Sequence, residues 1–151
     1  MKRAEKDRAP ALAIGDLEDF LRAEFPQVFT AASGVSIEDV WHGGARVRQG
    51  YQPTFIRPGG TLSGPTMMAL ADFAMYVAVL ASIGPVPLAV TTNLNINFLR
   101  KPGAADLLAE AKLMKLGKRL AVGDIGIWSA DGADLVAHAT STYSIPHKRD
   151  V

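Results

Sequence analysis

Between Leu62 and Leu99 the chain carries a single charged residue, Asp72. From Pro65 onward the run Thr66-Met67-Met68-Ala69-Leu70-Ala71-Asp72-Phe73-Ala74-Met75-Tyr76-Val77-Ala78-Val79-Leu80 is apolar on nearly every face of a helix. Such a pattern predicts a helix enclosed by other elements. Pro65 suits the first helical position and Gly84 the stop. The stretch Met67 to Ile83 is long enough to raise a membrane question. Asp72 interrupts it and Gly84-Pro85-Val86-Pro87 ends it, so the reading is a buried helix with no membrane.

The pattern then changes period. Leu88 to Leu99 alternates, with Val90, Leu94, Ile96 and Phe98 on one face and Thr91, Asn93, Asn95 and Asn97 on the other, as a strand requires. Pro102-Gly103 turns the chain into a mostly apolar strand from Ala105 to Leu116, and Gly117-Lys118 begins a tight connection. Leu120 to Trp128 is a strand thinned by Gly123 and Gly126, which predicts close approach or curvature. Asp131-Gly132 is a hairpin signal, and Leu135 to Ile145 is the last strand, ended by Pro146.

Upstream of the long helix the signals are shorter. Ile14 to Phe25 carries Leu17, Phe20, Leu21 and Phe25 at helical spacing, with Asp16 as its expected N-cap and Pro26 as its end. Val35 to Val47 reads as a strand with a break at Gly43-Gly44, a short extended piece follows near Tyr51, and Arg57 to Gly64 reads as loop. The charged start gives a mobile leader over residues 1–12 and a single domain over 13–151. One long buried helix followed by antiparallel strands implies an α+β fold in which a sheet wraps around a central helix, the hotdog arrangement.

Composition narrows the function. A length of 151 residues fits one domain with a sizeable core. A net charge of +1 argues against a broad nucleic-acid surface. Without cysteine there is no disulfide, thiolate metal site or cysteine nucleophile. His42, His138 and His147 lack metal-ligand spacing, so no metal is expected. No dinucleotide fingerprint occurs, and no secretory signal is visible, so the expected location is cytoplasmic.

The candidate chemistry gathers at the long helix. A carboxylate in an apolar helix is costly unless it is paired, hydrogen-bonded or used. The glycine-rich turn before it places backbone N–H groups at the positive helix end. An acid in the helix and open amides at its start can attack and hold a carbonyl. The alternatives are a structural Asp72 paired to a base and a glycine segment that is only a turn and cap. Gly60-Thr61-Leu62-Ser63-Gly64 has the wrong spacing for a serine nucleophile elbow.

Over Tyr51 to Ile145 the chain resembles the PaaI-like hotdog acyl-CoA thioesterases of the phenylacetate-pathway type. The resemblance rests on Gly60-Thr61-Leu62-Ser63-Gly64 leading to Ala69-Leu70-Ala71-Asp72, on Asn95-Ile96-Asn97-Phe98-Leu99-Arg100, on Gly117-Lys118-Arg119-Leu120-Ala121, and on Ala137-His138-Ala139-Thr140, in this order. It implies hydrolysis of an acyl-CoA thioester without a cofactor. Asp72 would be general base or nucleophile, Gly64 the backbone N–H donor to the carbonyl, and Thr91 the hydroxyl that places water. It further implies a homodimer or homotetramer paired through Leu88 to Leu99, with each site shared between subunits. Two positions depart from the family pattern: Ser63-Gly64-Pro65 stands where His-Gly-Gly is usual, and Arg57 stands where some members have Asn.

Several residues keep two readings. Ser63 is an N-cap or a substrate contact. Thr91 and the asparagines of its strand are site-lining or structural. Arg57 pairs with Asp72, holds a substrate carboxylate or sits in solvent. Lys118 and Arg119 are exposed turn charges or contacts to coenzyme A phosphates. The rival functions are a non-catalytic acyl-CoA or fatty-acyl binding protein and a hotdog dehydratase, the latter disfavoured because Ser63 replaces histidine.

Overall fold

The computed structural model describes residues 7–147. Amphipathic spacing folds Ile14–Glu24 into helix α1, which buries Leu17 and Leu21. Asp16 does not cap it. The N-cap is Ala13, without a side-chain hydrogen bond, and Asp16 lies in the first turn, where its charge still suits the helix dipole. The end of the stretch read as leader is tied down, since Arg8 O accepts from His42 N–H (3.0 Å) and Ala11 N–H donates to Ala81 O (2.7 Å).

The segment read as one broken strand forms two, β1 (Val35–Trp41) and β2 (Gly44–Gln49), which pair antiparallel. The break is a reversal, made by Gly43 at φ 99°, a conformation that side chains other than glycine rarely adopt. The expected loop Arg57 to Gly64 contains a two-residue hairpin, β3 (Ile56–Arg57) with β4 (Thr61–Leu62). The short extended piece therefore comes at Ile56 rather than near Tyr51.

Helix α2 (Gly64–Ile83) starts one residue before the expected position and stops at Gly84. Its all-round apolar character has the predicted cause. Strands β5 (Val90–Phe98), β6 (Leu107–Leu116), β7 (Leu120–Ser129) and β8 (Leu135–Ser144) join β1 and β2 in one antiparallel sheet of order β1-β2-β6-β7-β8-β5. That sheet curls around α2, and all six of its strands touch the helix. Residues Ala71 and Val77 to Ala81 of α2 are fully buried, so the one helix among the described residues that is long and apolar enough to cross a membrane is the core of the domain. Burying each large aliphatic side chain contributes about 1.5–3 kcal/mol.

Two consequences shape the site. Strand β5 ends the sheet, with Val90 and Phe98 about half exposed and one row of backbone groups unpaired. The first turns of α2 leave a stripe, Pro65, Met68, Ala69 and Asp72, that the sheet does not fully cover.

Gly123 accounts for how closely β7 approaches the helix. A Cβ there would lie 2.7 Å from Sδ of the fully buried Met75 and 3.0 Å from Lys112 O, a backbone atom held in the β6–β7 ladder. Gly123→Ala should therefore destabilise the domain by about 1–3 kcal/mol in denaturant unfolding. Gly103→Ala, with nothing within 4 Å of its Cβ, should be near neutral in the same measurement.

Candidate active site

The start of α2 fixes the first part of the site. Ser63 is its N-cap, with an extended backbone (φ -74°, ψ 153°) and a hydroxyl that accepts from Thr66 N–H at 3.4 Å and lies 2.8 Å from Thr66 Oγ1. Of its two readings, this geometry supplies the capping one. Gly64 follows as the first helical residue, so its N–H has no intrahelical acceptor. The Phe98 ring closes over its Cα, and a Cβ would meet Phe98 Cζ at 3.2 Å.

Asp72 lies two turns further along. Thr91 Oγ1 donates to its Oδ1 at 2.5 Å. The sequence alternation places Thr91 on the asparagine face of β5, away from Leu94, Ile96 and Phe98. A bulge between Thr91 and Asn93 changes this. One extra residue shifts the pleat, so Thr91 and Leu94 both oppose inward positions of β8, Tyr143 and Ser141. The asparagines 93, 95 and 97 stay exposed.

Tyr143 is the partner that sequence reasoning missed. Its hydroxyl donates to Asp72 Oδ1 at 2.9 Å and lies 3.2 Å from Asp72 O. The signal was present in β8, where Ala137, Ala139, Ser141 and Tyr143 alternate inward. A tyrosine on the buried face of a strand needs a partner for its hydroxyl. Burial, followed by the Asp72 charge, pushes its phenol far above the ordinary range, so it remains a donor. Tyr143 stacks on Tyr76 with centroids 6.1 Å apart, Phe25 meets Tyr76 edge-on at 5.9 Å, and the Tyr76 hydroxyl donates to Pro87 O at 3.0 Å. Thus α1, α2 and β8 together brace the carboxylate.

Asp72, Thr91 and Tyr143 open on a cavity of about 310 Å³, with Phe25, Tyr76 and Leu88 among its apolar walls and Glu24 at the end of α1. The other expected residues lie apart. Arg57 is exposed on β3, and among the described residues it forms no ion pair with Asp72. Lys118 and Arg119 are exposed in the β6–β7 turn. That turn is nonetheless at the cavity's end of the sheet. Arg119 O accepts from Ile145 N–H at 2.8 Å, and Ala121, two residues on, pairs with Tyr143.

Residues 59–136 match the family model described as the thioesterase superfamily. The chain belongs to the thioesterase superfamily. A crystal structure named "putative thioesterase" from Silicibacter sp. TM1040 is 44% identical with a TM-score of 0.82, covering 91% of this chain and 94% of that one. A mutant of the phenylacetic acid degradation protein PaaI from Thermus thermophilus is 28% identical with a TM-score of 0.68, covering 76% of this chain and 96% of that one. A "putative esterase" of Saccharolobus solfataricus is 28% identical over 140 residues, 93% of this chain and 90% of that protein. The chain is thus a PaaI-like hotdog thioesterase by family, and its general chemistry is that of acyl thioester hydrolysis.

Ser63 gives a direct check on the start of this thioesterase's central helix. Removing its hydroxyl in Ser63→Ala leaves the Thr66 amide without its cap, and should lower unfolding free energy by about 0.5–2 kcal/mol. Thermal or denaturant melting measures this.

Proposed function

We propose that this thioesterase hydrolyses acyl-CoA at sites shared between two subunits, with Asp72 and Gly64 as the reacting pair. The observation that carries the reading is the Asp72 carboxylate, braced by Thr91 and Tyr143 on the wall of an apolar cavity. Acting as general base, it takes a proton from water, whose oxygen adds to the thioester carbonyl. Acting as nucleophile, it adds to that carbonyl itself and the resulting anhydride is hydrolysed. In either route the carbonyl oxygen gains negative charge, the C–S bond breaks, and the thiolate leaves to be protonated. A backbone N–H aimed at that oxygen lowers the barrier.

Gly64 supplies such an N–H, but not to its own Asp72. Eight residues of helix separate them by about 12 Å, too far for one carbonyl. Strand β5 offers the solution. It runs from Thr91, beside Asp72, to Phe98, over Gly64. Antiparallel pairing of this edge with a second copy brings the Gly64 end of one chain toward the Asp72 end of the other. The open stripe of α2 and the exposed Val90 and Phe98 are what such a partner would cover. A homodimer, alone or within a homotetramer, completes two equivalent sites.

The remaining assignments follow from position. Arg57 and Ser63 accompany Gly64 and would meet the substrate from the second chain. Lys118 and Arg119 stand at the cavity's end of the sheet, where they would pair with coenzyme A phosphates. Hydrolysis by this set needs no cofactor, and a cytoplasmic location fits a coenzyme A ester.

A thiol-release assay across short, medium, long and aromatic acyl-CoAs tests the activity. Turnover on at least one class is expected, whereas binding without turnover across the panel would favour an acyl-CoA or fatty-acyl binding protein. On the best substrate, Asp72→Asn should cut kcat by about 10²–10⁴-fold or more. Lys118→Ala with Arg119→Ala should instead raise KM and leave kcat nearly unchanged, since contacts remote from the carbonyl bind ground and transition states alike.

A further inference from the structure

Two hydroxyls converge on one oxygen of Asp72. Thr91 from β5 and Tyr143 from β8 both donate to Oδ1, and a carboxylate oxygen accepts about two such bonds. Oδ2 takes no hydrogen bond from a described residue, and Asp72 lines the cavity. We propose that Tyr143 is a positioning residue for the hydrolytic reading above, holding Oδ1 together with Thr91 so that Oδ2 alone is presented to the water or the thioester carbonyl. This also reassigns Thr91, whose hydroxyl acts through the carboxylate rather than on the water.

The surroundings make this pair of bonds consequential. No described lysine, arginine or histidine forms an ion pair with Asp72. The titratable groups near it are Tyr143 on β8, Tyr76 on α2 and Glu24 at the end of α1. The two donated hydrogen bonds are therefore the side-chain contacts that hold the carboxylate among the described residues. The donor is rigid as well. Tyr143 is 3% exposed, its ring stacks on Tyr76, and Tyr76 is itself pinned to Pro87 O. A phenol so held fixes the rotation of the carboxylate, which a single bond from Thr91 would leave freer.

The test is Tyr143→Phe, which keeps the ring and removes the donor, read against Thr91→Val and Asp72→Asn. Loss of one hydrogen bond to a charged acceptor should lower kcat by about tenfold or more, with KM changing less. Thr91→Val should lower kcat in the same way. A purely packing role for Tyr143 would lower the melting temperature but leave kcat of the folded enzyme at the wild-type level, and that result overturns the inference. Full turnover by Asp72→Asn overturns instead the hydrolytic reading on which it rests. Should Tyr143→Phe fail to fold, 3-fluorotyrosine at position 143 keeps the ring and the hydroxyl and changes only the donor strength. A changed kcat at unchanged KM is then expected, and an unchanged kcat overturns the proposal.

Discussion

The hydrogen bonds that Thr91 and Tyr143 donate to Asp72 reconcile two opposed demands on helix α2. A helix apolar on all sides lowers its free energy by being enclosed, and the sheet encloses it. A carboxylate carried into that enclosure raises the free energy unless polar groups meet it. The bulge in β5 turns one threonine inward, and the inward alternation of β8 delivers one tyrosine to the same oxygen. The aromatic contact running from Phe25 through Tyr76 to Tyr143 then makes the first helix part of the same brace.

Much of this was legible in the chain. The lone Asp72 in an uncharged run pointed both to an enclosed helix and to a carboxylate that polar partners must meet, and the strands from Leu88 onward announced themselves by period. Gly123 was read as close approach or curvature, and the structure shows the close approach, since a Cβ there would lie 2.7 Å from Met75 Sδ. What failed was local and has local causes. Strict alternation cannot show a bulge, so Thr91 was placed on the wrong face. A reversal at Gly43 looks in sequence like an interruption, and Asp16 carried the chemistry of a cap without the position of one. Tyr143 was missed because its partner lies 71 residues away, beyond any pattern of spacing.

Phe98 lies over Gly64 at one end of β5, and Thr91 bonds Asp72 at the other. On the proposed reading of these two residues, one chain presents only half of a site, because the rigid helix keeps them apart. On the proposed account, the exposed edge strand and the open stripe on α2 are the surfaces through which a second copy supplies what is missing, and dimer formation and catalysis are one event.

Subunit mixing tests that claim most directly. Gly64→Pro removes the amide donor while keeping a residue suited to the first helical turn after the extended Ser63, and Asp72→Asn removes the carboxylate function. Each variant alone should be nearly inactive. After unfolding and refolding together in equal amounts, half the dimers should be mixed and each should hold one intact site, so activity should recover to about a quarter of wild type. Mixed dimers that form but recover no activity would contradict the shared site.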